Sequence, residues 1–223
     1  MRKVILNFHG LGTPARALEP GEAPYWVAPE LLETALDIAD RLAGEVQVDI
    51  TFDDGNASDL ELGAPILEAH GRSATFFVLA DRIDMSGSLS TGDIRALVAA
   101  GHRIGSHGSA HVSWKGQDPS GLDHELGREV RDRIAEAAGA PVTEAAIPFG
   151  TYNARVLRAL RNHGYEMAYS SDGGAWRDGQ FPCPRTSVRD GMDAADIEAL
   201  LLGREPFRAR LRRPLARVFK KVL

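Results

Sequence analysis

Two groups of side chains in this sequence are equipped for chemistry. Thr51-Phe52-Asp53-Asp54-Gly55 places adjacent carboxylates and a glycine at the end of Val46-Gln47-Val48-Asp49-Ile50-Thr51-Phe52, which alternates apolar and polar residues with the period of a half-buried strand. Side-by-side carboxylates repel unless something offsets their charge, and a bound cation does so. The second group is His107-Gly108-Ser109-Ala110-His111, two imidazoles four residues apart that follow another short strand. One carboxylate with two histidines is a ligand set for zinc or ferrous iron that leaves positions open for water. The other carboxylate is then free to act as a base. Asp-Gly alone is also a common turn dipeptide, so the histidine pair carries much of the reading. Together the two groups point to a metal hydrolase.

Such residues need a scaffold that brings distant positions together. The apolar spacing predicts helices over residues 29–43, 60–70, 90–100 and 153–163, and Gly44, Gly71, Gly101 and Gly164 punctuate their ends. Leu122, Leu126, Val130 and Ile134 are expected on one face of a single helix. Residues 74–79 form a continuous apolar run, as in a strand buried on both faces. Further strands are read before His107, at 145–147, at 167–170 and at 186–188. Strands and helices alternate with short connections, the pattern of a parallel sheet with crossover helices. His9, Asp53, Asp54, His107, Phe149 and Asp172 all fall at or just beyond strand ends. In a barrel of parallel strands these ends share one rim, where active sites form. No glycine-rich phosphate loop follows the first strand, which counts against an open dinucleotide-binding sheet.

Composition sets outer bounds. A chain of 223 residues, 43% apolar and 26% charged, is that of an ordinary globular protein. The single cysteine, Cys183, excludes a disulfide framework and fits a reducing compartment. The basic start is followed by too short an apolar run for a signal segment, and no stretch is long enough to span a bilayer; the expected location is cytoplasmic. The net charge of -5 conceals an asymmetry. Residues 204–223 carry eight Arg or Lys and one Glu, +7, leaving 18 basic and 30 acidic residues, -12, on the rest. An acidic body argues against nucleic acid as a partner. We therefore read residues 1–203 as one catalytic domain and 204–223 as a basic amphipathic tail. In that tail Phe207, Leu211, Leu215, Phe219 and Val222 lie near one helical face, interrupted at Pro214. Such a tail either lies on an anionic membrane surface, at the inner face of the membrane, or docks on the acidic body.

With these residues placed, the chain resembles the polysaccharide deacetylases, the NodB-homology or carbohydrate esterase family 4. Thr51-Phe52-Asp53-Asp54-Gly55 matches the first family motif unchanged. His107-Gly108-Ser109-Ala110-His111 matches the His-x-x-x-His motif, with Gly108 where Ser or Thr is usual, and Pro148-Phe149-Gly150-Thr151-Tyr152-Asn153 is similar to the third motif. The resemblance covers residues 1–190 and implies a distorted (β/α)7 barrel. It further implies that Asp54, His107 and His111 bind a divalent metal, zinc first, with Co2+, Ni2+, Fe2+ and Mn2+ as alternatives. Asp53 is then the general base, and the backbone N–H of Phe149 stabilises the oxyanion.

Three departures accompany the likeness. Ala146 stands where the family carries an arginine, and Arg185 in Pro184-Arg185-Thr186 is the candidate to supply the missing charge beside Asp53. The family's last motif, an apolar strand ending in a catalytic histidine, is absent from the C-terminal part, where no histidine follows His163. A strand of that kind stands instead at the beginning, as Ile5-Leu6-Asn7-Phe8-His9. Circularly permuted members acting on poly-N-acetylglucosamine are arranged in this way, and Tyr25-Trp26-Val27-Ala28-Pro29-Glu30 adds to the likeness. The general acid is accordingly assigned to His9. Trp176 is expected either to line the pocket, as family aromatics there do, or to pack as core or lid. The implied activity is N-deacetylation of an N-acetylated amino sugar in surface-glycan biosynthesis. Nucleotide-linked and lipid-linked substrates are favoured over finished polymer. The rival readings are hydrolysis of another amide or imide bond by the same site and an inactive glycan-binding member.

Overall fold

A computed structural model describes residues 1–204; the amphipathic tail, beyond Arg204, lies outside the described residues. Six strands run parallel, in chain order β1 (Arg2–Phe8), β2 (Val46–Phe52), β3 (Ala74–Val78), β4 (Arg103–Ser106), β5 (Glu144–Ala146) and β6 (Met167–Ser170), each paired with the next. The two ends of this sheet are joined by residues 183–187. Cys183–Pro184 pairs in parallel with β6, through Cys183 opposite Tyr169, and Thr186–Ser187 pairs in parallel with β1, through Thr186 opposite Leu6. Arg185 sits between the two pairings. The result is the distorted seven-stranded barrel that the family resemblance implied.

Neighbouring residues of a strand face opposite sides, and here the alternation sorts apolar from functional residues. Val4, Leu6 and Phe8 of β1 and Ile50 and Phe52 of β2 belong to the large core between sheet and helices. Phe8, Phe52 and Phe76 stack in a row across three strands, with ring centroids 5.6 Å and 4.8 Å apart. Ile5, Phe77, Ala146, Tyr169 and Cys183 form a separate small cluster. The intervening residues Asn7, Thr51 and Asp53 therefore face the barrel lumen, where they bond to one another and to Arg185.

The helices α1 (Pro29–Arg41), α2 (Ala64–Ala69) and α3 (Thr91–Ala99) follow the periodicity closely. Ser90 and Asp93 close a capping box at the start of α3. The expected helix through Leu122 and Ile134 is instead two, α4 (Pro119–Leu126) and α5 (Arg128–Ala138). Gly127 between them is extended, and a Cβ there would lie 2.2 Å from the Asp123 carbonyl oxygen. The apolar spacing continues across this break, so it reads as one helix. After α6 (Ala154–Asn162), α7 (Ala194–Leu202) packs on α1 behind a second capping box, Asp193 with Asp196. No helix among the described residues is long and apolar enough to cross a membrane.

Candidate active site

The C-terminal rim of the barrel gathers residues that the sequence separates by up to 163 positions, from His9 to Asp172. Asp54 leaves β2 in the left-handed region, φ 78°, which Asp tolerates better than most residues with a Cβ. Its carboxylate is buried, and neither oxygen has a hydrogen-bond partner. A buried carboxylate without partners is costly unless a cation is its partner. His107 Nε2 lies 3.4 Å and His111 Nε2 3.5 Å from Asp54 Oδ1. Bonds of ~2.1 Å at tetrahedral angles separate donor atoms by about 3.4 Å. Asp54, His107 and His111 thus fit a divalent metal in donor type and spacing, as expected from the sequence.

Each histidine is locked through its other nitrogen. His107 Nδ1 donates to the Ala146 carbonyl at 2.9 Å, and burial pushes its imidazole down to about 4, against the pull of Asp53 and Asp54. It is therefore neutral and ligand-competent at ordinary pH. His111 Nδ1 donates to Glu19 Oε2 at 2.6 Å. The loop joining the two is braced by buried Glu125, which accepts from the backbone N–H groups of Ser109 and Ala110 and from Trp114 Nε1. Gly108 has φ 97°, and a Cβ there would meet Glu125 Oε2 at 2.8 Å, which is why the usual Ser or Thr is replaced. Sequence reading missed Glu19, Glu125 and Asn7. Glu19 and Glu125 lie in no recognisable pattern, whereas Asn7 is the one polar residue inside the apolar run Val4–Phe8 and so signals a lumen-facing position.

Asp53 is held differently. Arg185 Nη1 donates to its Oδ1 at 2.7 Å and Nη2 to its Oδ2 at 2.8 Å, while Asn7 Nδ2 donates to Oδ2 at 2.9 Å. Burial alone would raise the Asp53 carboxyl. The charge of Arg185 and its hydrogen-bonding fork outweigh it and hold the group well below the usual carboxylate range. Arg185 thus supplies a cation beside Asp53 from the segment that closes the barrel.

His9 Nε2 stands 3.9 Å from Asp53 Oδ2, and its ring packs on Tyr25 at 4.7 Å. Next to Tyr25, the Trp26 ring crosses directly over Gly10, where a Cβ would fall 2.2 Å from ring atoms. Phe149, at φ 57°, lays its exposed ring 4.4 Å from that of His111. These groups surround a cavity of about 550 Å³. Asp172 also lines it, accepting from the Tyr152 and Ser170 hydroxyls. Trp176 does not. Its short strand turns back antiparallel onto β1 opposite Lys3, six residues or about 20 Å below His9. There its ring carries the Lys3 ammonium at 4.8 Å, at the opposite end of the barrel.

A family model described as polysaccharide deacetylase matches residues 42–168, more than half of the chain. This chain belongs to the polysaccharide deacetylase family. The match includes Asp53, Asp54, His107, His111 and Phe149 but not His9 or Arg185, which lie outside it on either side. YxkH of Bacillus subtilis (strain 168), whose name places it among the polysaccharide deacetylases, is 28% identical over 166 residues. That alignment covers 73% of this chain and 58% of YxkH, so the family member described here spans little more than half the length of that relative. Among solved structures, the Streptococcus pyogenes deacetylase PplD in complex with acetate superposes with a TM-score of 0.75 at 18% identity, over 92% of this chain and 99% of that one. The de-N-acetylase from Aggregatibacter actinomycetemcomitans gives 0.74 at 16% identity, over 90% and 100%. IcaB from Ammonifex degensii gives 0.69 at 20% identity, over 89% and 97%. These likenesses show a shared fold.

Proposed function

We propose that this polysaccharide deacetylase removes the acetyl group from an N-acetylated amino sugar by metal-assisted amide hydrolysis. The observation that carries this reading is the buried, unpartnered carboxylate of Asp54 facing two histidine nitrogens, beside a second carboxylate, Asp53, that has its own cation. One carboxylate is reserved for a metal and the other for proton transfer. The donor set suits zinc first, with Co2+, Ni2+, Fe2+ and Mn2+ as alternatives. A divalent ion held by Asp54, His107 and His111 supplies Lewis acidity, making water more acidic and the amide carbonyl more electrophilic.

The remaining roles fall to the chain itself. Asp53, ionised at any working pH, takes the proton of the attacking water, and Arg185 and Asn7 keep its carboxylate aimed. His9, which lines the cavity 3.9 Å from Asp53, gives a proton to the departing nitrogen. The Phe149 backbone N–H, at the turn beside His111, donates to the developing oxyanion. Arg185 paired with Asp53, and His9 beside the same carboxylate, support an active enzyme over the inactive glycan-binding reading.

On the substrate side, Arg189 is the only Lys or Arg among the described residues lining the cavity. Its Nη2 donates to the Tyr25 hydroxyl at 2.8 Å, and its guanidinium lies 4.8 Å over the Tyr25 ring. Asp53, Glu19 and Glu22 already have cations of their own. A guanidinium that lines the cavity with no carboxylate partner among the described residues supports a substrate bearing phosphate, nucleotide-linked or lipid-linked, over neutral polymer. Acetate release from a panel of polymeric, nucleotide-linked and lipid-linked N-acetylhexosamines, with chelated controls, tests the activity. Asp53→Asn should retain metal and lose turnover. Retained turnover would sink the base assignment.

A further inference from the structure

The residues between Gly10–Leu11 and α1 form a strap over the cavity, and its inner side bears Glu19, Glu22 and Tyr25. It is anchored by a buried ion pair. Arg16 binds Glu22 through both terminal nitrogens and reaches the Asn56 side-chain oxygen at 2.9 Å and 3.1 Å. Asn56 directly follows the Asp53-Asp54-Gly55 turn, so the strap is pinned beside the candidate metal ligand Asp54. Glu22 also accepts from the Glu19 backbone N–H at 2.7 Å and from Trp26 Nε1 at 3.3 Å, which fixes where Glu19 emerges.

Glu19 divides its two oxygens. Oε1 pairs with Arg82, just after β3, and Oε2 accepts from His111 Nδ1. His111 therefore presents Nε2 toward Asp54 because a carboxylate 92 residues away in sequence holds the opposite nitrogen. His107 has no such dependence, since its partner is the Ala146 carbonyl within the barrel itself. A carboxylate behind a ligating imidazole fixes its tautomer and ring orientation and increases its basicity as a ligand.

We infer that Glu19 is a metal-positioning residue, delivered by the strap of residues 12–25, which ties the order of that strap to occupancy of the metal site. This rests on the reading of Asp54, His107 and His111 as metal ligands. Because linkage is reciprocal, bound metal holds the strap closed as much as the strap holds His111.

Zn2+ affinity measured by chelator competition on the full chain, for wild type, Glu19→Gln and Glu19→Ala, tests it, with melting of each metal-free protein and hydrogen exchange of residues 12–25 with and without Zn2+. Glu19→Ala should bind Zn2+ about 10–100-fold more weakly. Glu19→Gln, which keeps an acceptor oxygen but loses the charge, should fall between. Metal-free melting should fall by less than the loss in Zn2+ binding, since Glu19→Ala also unpairs Arg82, and Zn2+ should slow exchange in the strap of wild type but not of Glu19→Ala. Affinities within about twofold of wild type, well below that range, would overturn the inference and leave the metal site standing. So would a loss matched by an equal loss of metal-free stability. Wild type that binds no Zn2+ would overturn the metal-site reading and this inference with it.

Discussion

Arg185 closes on Asp53 as a two-pronged fork inside the barrel, with both nitrogen–oxygen distances below 2.9 Å and both side chains almost fully buried. The guanidinium also lies 5.2 Å over the ring of Phe77 and 5.7 Å over that of Tyr169, so its position is set by packing as well as by charge. The segment that closes the barrel therefore also sets the electrostatics of the candidate base.

Removing one partner of a buried pair costs about 3–5 kcal/mol, because the other is left charged and alone. Arg185→Gln should lose stability of this order at pH 7. The sign of its pH dependence follows from Asp53, whose carboxyl is held below its ordinary value in the folded state. That contribution is complete above the unfolded pKa of about 3.9 and is lost as pH falls through the lower folded value. Denaturant unfolding should thus show a full gap between wild type and variant at neutral pH that narrows in acid. An equal gap at both would mean that Arg185 stabilises by packing alone.

Asp54 should behave in the opposite way. Its carboxylate is buried beside Asp53 with no hydrogen-bond partner, so in the metal-free protein it is a liability. Asp54→Asn keeps the shape and a side chain that tolerates φ 78°, and it removes the charge. We expect metal-free protein stabilised by on the order of 1 kcal/mol but no rise in melting temperature when Zn2+ is added. Wild type should rise with Zn2+. A variant less stable than wild type in the absence of metal would show that the carboxylate contributes a structural contact.

The parts of this site that were legible in the sequence share one property: they sit on or next to a periodic element. Asp53 and Asp54 end an alternating strand, His107 and His111 follow a short one, and His9 ends an apolar one. Arg185 was found only as the charge missing at Ala146, because residues 183–187 are too short to carry a period. Glu19 was out of reach, since a loop rich in Pro, Gly and Glu gives no sign of which distant histidine it will meet. For Trp176 the sequence leaves pocket and packing open; the glycines at 173 and 174, both at positive φ, turn the chain back down the barrel and decide for packing. The capping box Asp193–Asp196 was present in the sequence and would have announced α7.

Phe149 offers a test of backbone strain at the site. At φ 57° a residue with a Cβ pays roughly 1–2 kcal/mol that glycine does not. Phe149→Gly should therefore melt above Phe149→Ala, by less than that amount because glycine loses more chain entropy on folding. Both variants lose the ring stacked on His111 but keep the backbone N–H, so turnover should change alike in the two. A more stable Ala variant would indicate a relaxed turn.

If Arg189 receives a phosphate, Arg189→Met removes one charge-assisted interaction of about 1.5–3 kcal/mol, which corresponds to a rise in KM of roughly 10- to 150-fold for phosphate-linked substrates. Values of kcat and the KM of neutral N-acetylated oligosaccharides should stay near wild type. The wild-type advantage for phosphate-linked substrates should also shrink as salt rises, since an exposed guanidinium is screened. Tyr25→Phe separates this role from a purely structural one. It keeps the ring that packs on His9 but takes away the hydroxyl that accepts from Arg189. A recognition role for Arg189 makes Tyr25→Phe mild and Arg189→Met selective. If both variants instead lower kcat equally on every substrate, Arg189 serves to hold Tyr25 against His9, and the phosphate-linked substrate class falls.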